Sequence, residues 1–267
     1  MTIFDITLFP QHLLIVFLFI LGTSIGSFLN VLIDRLPQEK SLLGRSKCDF
    51  CHTQLQPLDL VPVISYIGLK GYSRCCRKKL SIQYPLIECA TGLLFVFFGL
   101  YEFSFSLGVR FAVIAILCTF VVIIVADFKY HIIPDSMQIA FFVFSLVFLI
   151  LSQSLPNLNS LYLHLVWGVS VMIPILILFL ITRGRGMGFG DVKLAFTMGF
   201  LLGFIDGLLA LYIGFITGAV VGIVLLLSRQ KRLKSKIAFG PFLILGTLVM
   251  FFFAPSIHSI VRALFNL

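Results

Sequence analysis

Gly186-Met187-Gly188-Phe189-Gly190-Asp191-Val192-Lys193 is a glycine-rich stretch with a single carboxylate, set between two long apolar runs. Upstream, Leu161 to Ile181 is almost wholly hydrophobic, and downstream, Leu194 to Leu227 carries one charged residue, Asp206. An acidic side chain at the edge of a membrane span is costly unless it has a partner or a task. Alternate glycines leave the backbone bare, so another chain can approach Gly188 and Gly190 closely. The plainer alternative is a loop whose Asp191 caps the following helix.

The two flanking runs set the fold class, and the rest of the chain repeats them. Of 267 residues, 60% are hydrophobic and 12% charged. Continuous apolar segments long enough to cross a bilayer recur at residues 11–33, 84–100, 108–126, 137–155, 162–182, 192–205, 208–227 and 240–260. They do not alternate polar with apolar, which argues against a membrane β-barrel. The expected architecture is all-α and polytopic, with about eight transmembrane helices. The boundary between the sixth and seventh spans, Gly203 to Gly207, is the least marked.

Basic residues orient the spans. Eighteen of the 20 Lys and Arg lie in four segments: 34–83, the turn at 127–135, the loop 183–193 and the run 228–239. With eight spans all four fall on one side, which is therefore cytoplasmic, and both termini lie outside. The net charge of +9 is thus a topology signal, with the 229–236 run set against anionic membrane lipid. No base- or backbone-reading element accompanies it, so no nucleic acid partner is expected.

The one sizeable polar segment, 34–83, contains Cys48-Asp-Phe-Cys51 and, about 25 residues later, Cys75-Cys76. On a reducing side this pattern points to a structural zinc site, able to fold a small loop domain that lacks a core. Cys48, Cys51, Cys75 and Cys76 are the candidate ligands. Ordinary free thiols are the alternative, and His52 is a further ligand should Cys75 not bind. Gly22, Gly26 and Ser27 in the first span form a small-residue stripe suited to helix packing, with Asn30 able to bond across it. Glu88 lies one turn into the second span, where a carboxylate is either functional or paired with a loop arginine.

Asp127 ends the third span as Asp191 begins the sixth, both at the cytoplasmic edge. Asp135 follows Pro134 and is expected to cap the fourth span. Two aspartates held together share a proton and titrate as a unit. The ionised one can draw a proton from water while the other polarises a carbonyl. That is aspartic proteolysis, and bare glycine backbone beside Asp191 would let an extended substrate lie against it. A proton- or cation-coupled transporter is the alternative, although such carboxylates usually sit at mid-membrane on broken helices.

Taken in order, these motifs resemble the bacterial type IV prepilin leader peptidases, membrane aspartyl proteases with a G-x-G-D motif. Gly26-Ser-Phe-Leu-Asn30 with Arg35-Leu-Pro37, Cys48-x-x-Cys51, Pro62-x-x-Ser65-Tyr66, Tyr84-Pro85-x-x-Glu88, Ala126-Asp127 with Ile133-Pro134-Asp135, and Gly188-Phe-Gly190-Asp191-x-Lys193 carry the resemblance. It implies removal of the leader from prepilins and pseudopilins at the cytoplasmic face of the inner membrane. It also implies methylation of the new N-terminal amine with S-adenosylmethionine as donor. Asp127 and Asp191 are then the catalytic pair. Residues 1–100 would be a methylation-linked region, with Gly22, Gly26, Asn30 and Glu88 near the methyl transfer, and residues 101–267 the peptidase domain. The family's second cysteine pair is spaced C-x-x-C; here Ser73 stands at its first position, Cys76 at its second, and Cys75 is an extra thiol.

Overall fold

Helix boundaries in this chain are set by left-handed residues and by prolines between the apolar runs. The structure is a computed structural model that describes residues 10–100, 106–228 and 238–265. Its helices are α1 (Gln11–Arg35), α2 (Ile64–Gly68), α3 (Gln83–Leu100), α4 (Leu107–Tyr130), α5 (Asp135–Leu151), α6 (Leu158–Thr182), α7 (Phe189–Leu202), α8 (Phe204–Leu227) and α9 (Gly240–Phe265). No strand occurs among the described residues, only two isolated bridges. α1, α3, α4, α6, α8 and α9 are long and apolar enough to cross a membrane. α5, with 17 residues, is shorter. The protein is a multi-pass membrane protein. The two termini and the basic run 229–236 fall outside the described residues.

Among the described residues eight apolar helices stand where eight spans were expected, but two of them, α5 and α7, are shorter than the other six. α7 has 14 residues, about 21 Å at ~1.5 Å per residue, short of a hydrocarbon core about 30 Å thick. It ends at Gly203, whose φ of 90° and ψ of −179° suit glycine alone. The apolar run therefore breaks at that one residue into α7 and α8, not across Gly203 to Gly207.

The chain divides into two units, residues 1–114 and 115–267, with the boundary inside α4. In the first unit α1 packs on α3 through the small-residue stripe. A Cβ added at Gly22 would lie 2.8 Å from Gly92 Cα, and one at Gly26 2.8 Å from Glu88 Cα. The helices touch backbone to backbone there, so both glycines are used for packing and leave no room for a ligand at those positions. Asn30 Nδ2 donates to Tyr84 O at 3.2 Å across the same seam. Glu88, 8% exposed, pairs with no arginine among the described residues; its Oε2 accepts the Val63 backbone N–H at 2.7 Å. Val63 has a φ of 60°, unfavourable for a β-branched residue, so the carboxylate holds a strained turn of the polar loop.

In the second unit α7 is the central element. It lies against α5, α6, α8 and α9, and nine of its 14 residues are buried. That burial exceeds what one apolar stripe provides and explains the near absence of charge along it. At the end of α8 away from α7's first turn, Asp206 Oδ1 meets His258 Nε2 of α9 at 2.6 Å.

Candidate active site

α4 stops because His131 adopts a left-handed conformation, φ 54°, with its N–H bonded to Asp127 O at 2.9 Å. Ile132, Ile133 and Pro134 then run without helix to α5. This puts Asp127 in the last turn of α4 and buries it, 6% exposed. Its Oδ2 accepts the Gly240 N–H at 2.9 Å. Gly240 opens α9, so the carboxylate sits on the unsatisfied N–H groups and positive dipole end of that helix.

Asp191 is built the same way. It is the third residue of α7, 7% exposed, and its Oδ2 accepts the Gly188 N–H at 3.1 Å. The capping alternative thus holds for one oxygen. Among the described residues neither aspartate's Oδ1 has a hydrogen-bond partner. Ile133 lies beside both Gly190, the chain neighbour of Asp191, and Gly240, the partner of Asp127: a Cβ on Gly190 would be 3.2 Å from Ile133 Cβ, and one on Gly240 would be 3.1 Å from Ile133 Cδ1 and 2.8 Å from Asp127 Oδ2. A side chain at Gly240 would therefore strike the carboxylate itself. Of the two glycines expected to face substrate, Gly188 is exposed and meets only Asp191 and Gly190, whereas Gly190 is covered by Ile133 and Gln138.

Lys193 does not neutralise Asp191. Its Nζ bonds Asp135 Oδ1 at 2.7 Å, and both side chains are well exposed. Asp135 is thus a partner of Lys193 and makes no cap: α5 is preceded by Pro134, with no side-chain cap bond. Two residues of the site carried no signal read from the sequence. Gly240 precedes Pro241 at a helix start, a pairing that marks such starts. Gln138, one turn into α5, donates from Nε2 to Gly190 O at 3.0 Å; nothing local marks it.

The cysteine loop is a repeated turn offset by 25 residues. Cys48 N donates to Thr53 O (2.9 Å) as Ser73 N does to Lys78 O (2.8 Å), and His52 N donates to Cys48 O (3.0 Å) as Arg77 N does to Ser73 O (2.9 Å). His52 and Arg77 are both left-handed. The bridges Lys47↔Gln54 and Tyr72↔Lys79 close the two turns. No such repeat was expected from the sequence. Ser73 therefore stands in Cys48's place and Cys76 in that of Cys51, while Cys75 reaches in from beside them. All four Sγ atoms lie within 4.8 Å of one another, a group that could hold a metal ion; His52 is not in it. Cys48 and Cys76 are 3.8 Å apart, close to the ~3.8 Å edge of a tetrahedron with metal–sulfur bonds of about 2.3 Å; Cys51 and Cys75 are nearer, at 3.0 Å. Burial pushes the Cys48 thiol up, but hydrogen bonds from Ser73 and the Cys51 and Phe50 backbone outweigh it and bring it down to about 6. A ready thiolate is what a metal needs. The donor set fits.

Comparison with known proteins decides the family. Residues 112–223 match the model of the type IV leader peptidase family, and residues 20–101 that of the bacterial peptidase A24 N-terminal domain. A prepilin leader peptidase/N-methyltransferase of Klebsiella pneumoniae is 31% identical over 68% of this chain and 82% of its own length. The Bacillus subtilis (strain 168) protein of that name is 29% identical over 91% of this chain and 95% of its own. One of Dickeya chrysanthemi is 33% identical over 72% and 75%.

This chain belongs to the type IV leader peptidase family.

Membership makes it a membrane peptidase and removes the transporter alternative. Both candidate aspartates lie inside the family's matched segment, and the four cysteines lie inside the N-terminal one. No solved structure matches this chain.

Proposed function

We propose that Asp127 and Asp191 are the catalytic pair of a prepilin leader peptidase that also N-methylates its product. The observation that supports this most is the matched setting of the two carboxylates: each is buried, has one oxygen on a backbone N–H at a helix start, and among the described residues leaves Oδ1 without a partner. One carboxylate in its ionised form takes a proton from a water. The water oxygen attacks the scissile carbonyl carbon, and the other, protonated carboxyl donates to the carbonyl oxygen. The resulting tetrahedral species collapses as the amide nitrogen takes a proton and leaves. Gly188 offers exposed backbone on which the substrate strand can lie.

The substrates are prepilins, after the names of the relatives, together with the pseudopilins that the resemblance of the sequence motifs implies. The peptidase unit is residues 101–267. The methylation-linked unit is residues 1–100, with Glu88 fixing its loop. Methyl transfer uses S-adenosylmethionine, whose methyl group passes to the freed amine. The Cys48, Cys51, Cys75 and Cys76 thiolates hold a structural zinc, which would cross-link a loop that has no core of its own. The charge pattern supports an inner-membrane protein with both termini periplasmic and the aspartates at the cytoplasmic face. Incubating the purified protein with a prepilin and S-adenosylmethionine tests the reading. The expected masses are those of a leaderless product and of the same product heavier by one methyl group. An intact prepilin would overturn it.

A further inference from the structure

Gln138 is the polar group of this region that the mechanism leaves unused. It is 6% exposed, and its Nε2 is committed to Gly190 O. Among the described residues its Oε1 is buried without a hydrogen-bond partner, a state shared only with Ser145 Oγ. A buried acceptor left unpaired is costly and calls for an explanation. Rotating the amide would not help, because it would set oxygen against the Gly190 carbonyl.

A groove of about 400 Å³ is lined in part by Gln138. Its walls are Ile139, Phe142, Met172 and Phe196, and the Asp135–Lys193 pair stands at its edge. The groove is therefore apolar apart from Gln138, Thr197 and that pair. Gly190, which Gln138 grips, is the neighbour of Asp191. A ligand in the groove therefore lies against the residue that holds Gly190, and an opening of the wall over Oε1 would let it bond there.

The missing partner is a donor, and the substrate class supplies one. A helical membrane segment uses its N–H groups internally, whereas a peptide cut by a dyad must be extended locally. Unwinding frees main-chain N–H groups that find no water in an apolar groove and need an acceptor from the protein. We propose that Gln138 Oε1 accepts a main-chain N–H of the substrate beside the scissile bond, and so sets which peptide bond meets the aspartates. This deepens the peptidase reading and rests on it. The same amide fixes the start of α7, so one side chain ties substrate register to the position of Asp191.

The test is an amide-to-ester scan. A synthetic prepilin segment spanning the leader junction is prepared with each amide around the cut replaced in turn by an ester, which removes one N–H. Each is cleaved by wild type and by Gln138→Met, which keeps the side chain's approximate volume. One ester position is expected to lower wild-type kcat/KM roughly five- to tenfold, the size of one hydrogen bond, and to cost Gln138→Met nothing further. Gln138→Met should also give more miscut product. If every ester costs the variant as much as the wild type, the inference is overturned, even if Gln138→Met is slower throughout. If the variant does not fold, the wild-type scan still decides, since no ester-sensitive position would overturn it, and Gln138→Thr replaces Met for the comparison. Failure of the wild type to cut the unmodified segment would instead sink the peptidase reading itself.

Discussion

Asp127 and Gly240 are 113 residues apart in sequence and joined by one hydrogen bond, from the Gly240 N–H to Asp127 Oδ2 at 2.9 Å. The start of α9 thereby aims one of the two carboxylates. A side chain at this position would force the carboxylate aside, because an added Cβ would stand 2.8 Å from Oδ2.

Gly240→Ala should therefore displace Asp127 while leaving the helix intact. The expected outcome is a loss of cleavage of at least about a hundredfold, the scale of a misplaced catalytic group. The thermal midpoint should change little, since alanine favours helix. Cleavage kinetics beside a melting curve check this. Wild-type rates in Gly240→Ala would mean that the bond does not position the carboxylate.

The Asp135–Lys193 pair should matter little to the chemistry. Both groups are exposed, and such pairs contribute about 0–1 kcal/mol. Asp135→Asn should keep substantial cleavage activity, measured by product mass over time. A loss as deep as that of Asp191→Asn would place Asp135 in the reaction.

Metal should follow the thiols. The purified wild type is expected to carry one zinc per chain by elemental analysis, and Cys48→Ser and Cys75→Ser to lose most of it. Ser73→Ala should retain it, because Ser73 bonds thiols and supplies no thiolate of its own. No zinc in the wild type would remove the structural zinc.

These outcomes separate what the sequence makes visible from what it hides. Asp127 and Asp191 stand out because a carboxylate in an apolar run is conspicuous, whatever the fold. The Gly22 and Gly26 stripe reads as packing for a similarly local reason, helical spacing of small residues. Partners distant in sequence leave no such mark. Gln138 meets Gly190 across 52 residues, and Lys193 takes Asp135 across 58, so Asp135 reads as a cap when only its neighbour Pro134 is considered. Cys75 looks misplaced by spacing alone. Only the folded turn, in which Ser73 stands where Cys48 does, shows a sulfur arriving from the side. The end of α7 is blurred, read from the sequence only as somewhere in Gly203 to Gly207, because a single left-handed glycine inside a long apolar run is enough to end the helix.

Glu88 separates the two activities. Its carboxylate holds the Val63 turn in the unit formed by residues 1–114. Glu88→Gln presents an amide that still has one acceptor, but weakens a charge-assisted bond. Methylation should fall by more than cleavage, read from the ratio of methylated to unmethylated product masses. Equal loss of both would assign Glu88 a role in folding at large.

The most direct measurement is prepilin cleavage by Asp127→Asn, Asp191→Asn and the double variant, each shown to be inserted and folded. The account predicts that each single change nearly abolishes leader removal, and that the double is no worse than either single, because residues acting as one unit are not additive. Leader removal by a well-folded Asp191→Asn protein at near wild-type rate would contradict it.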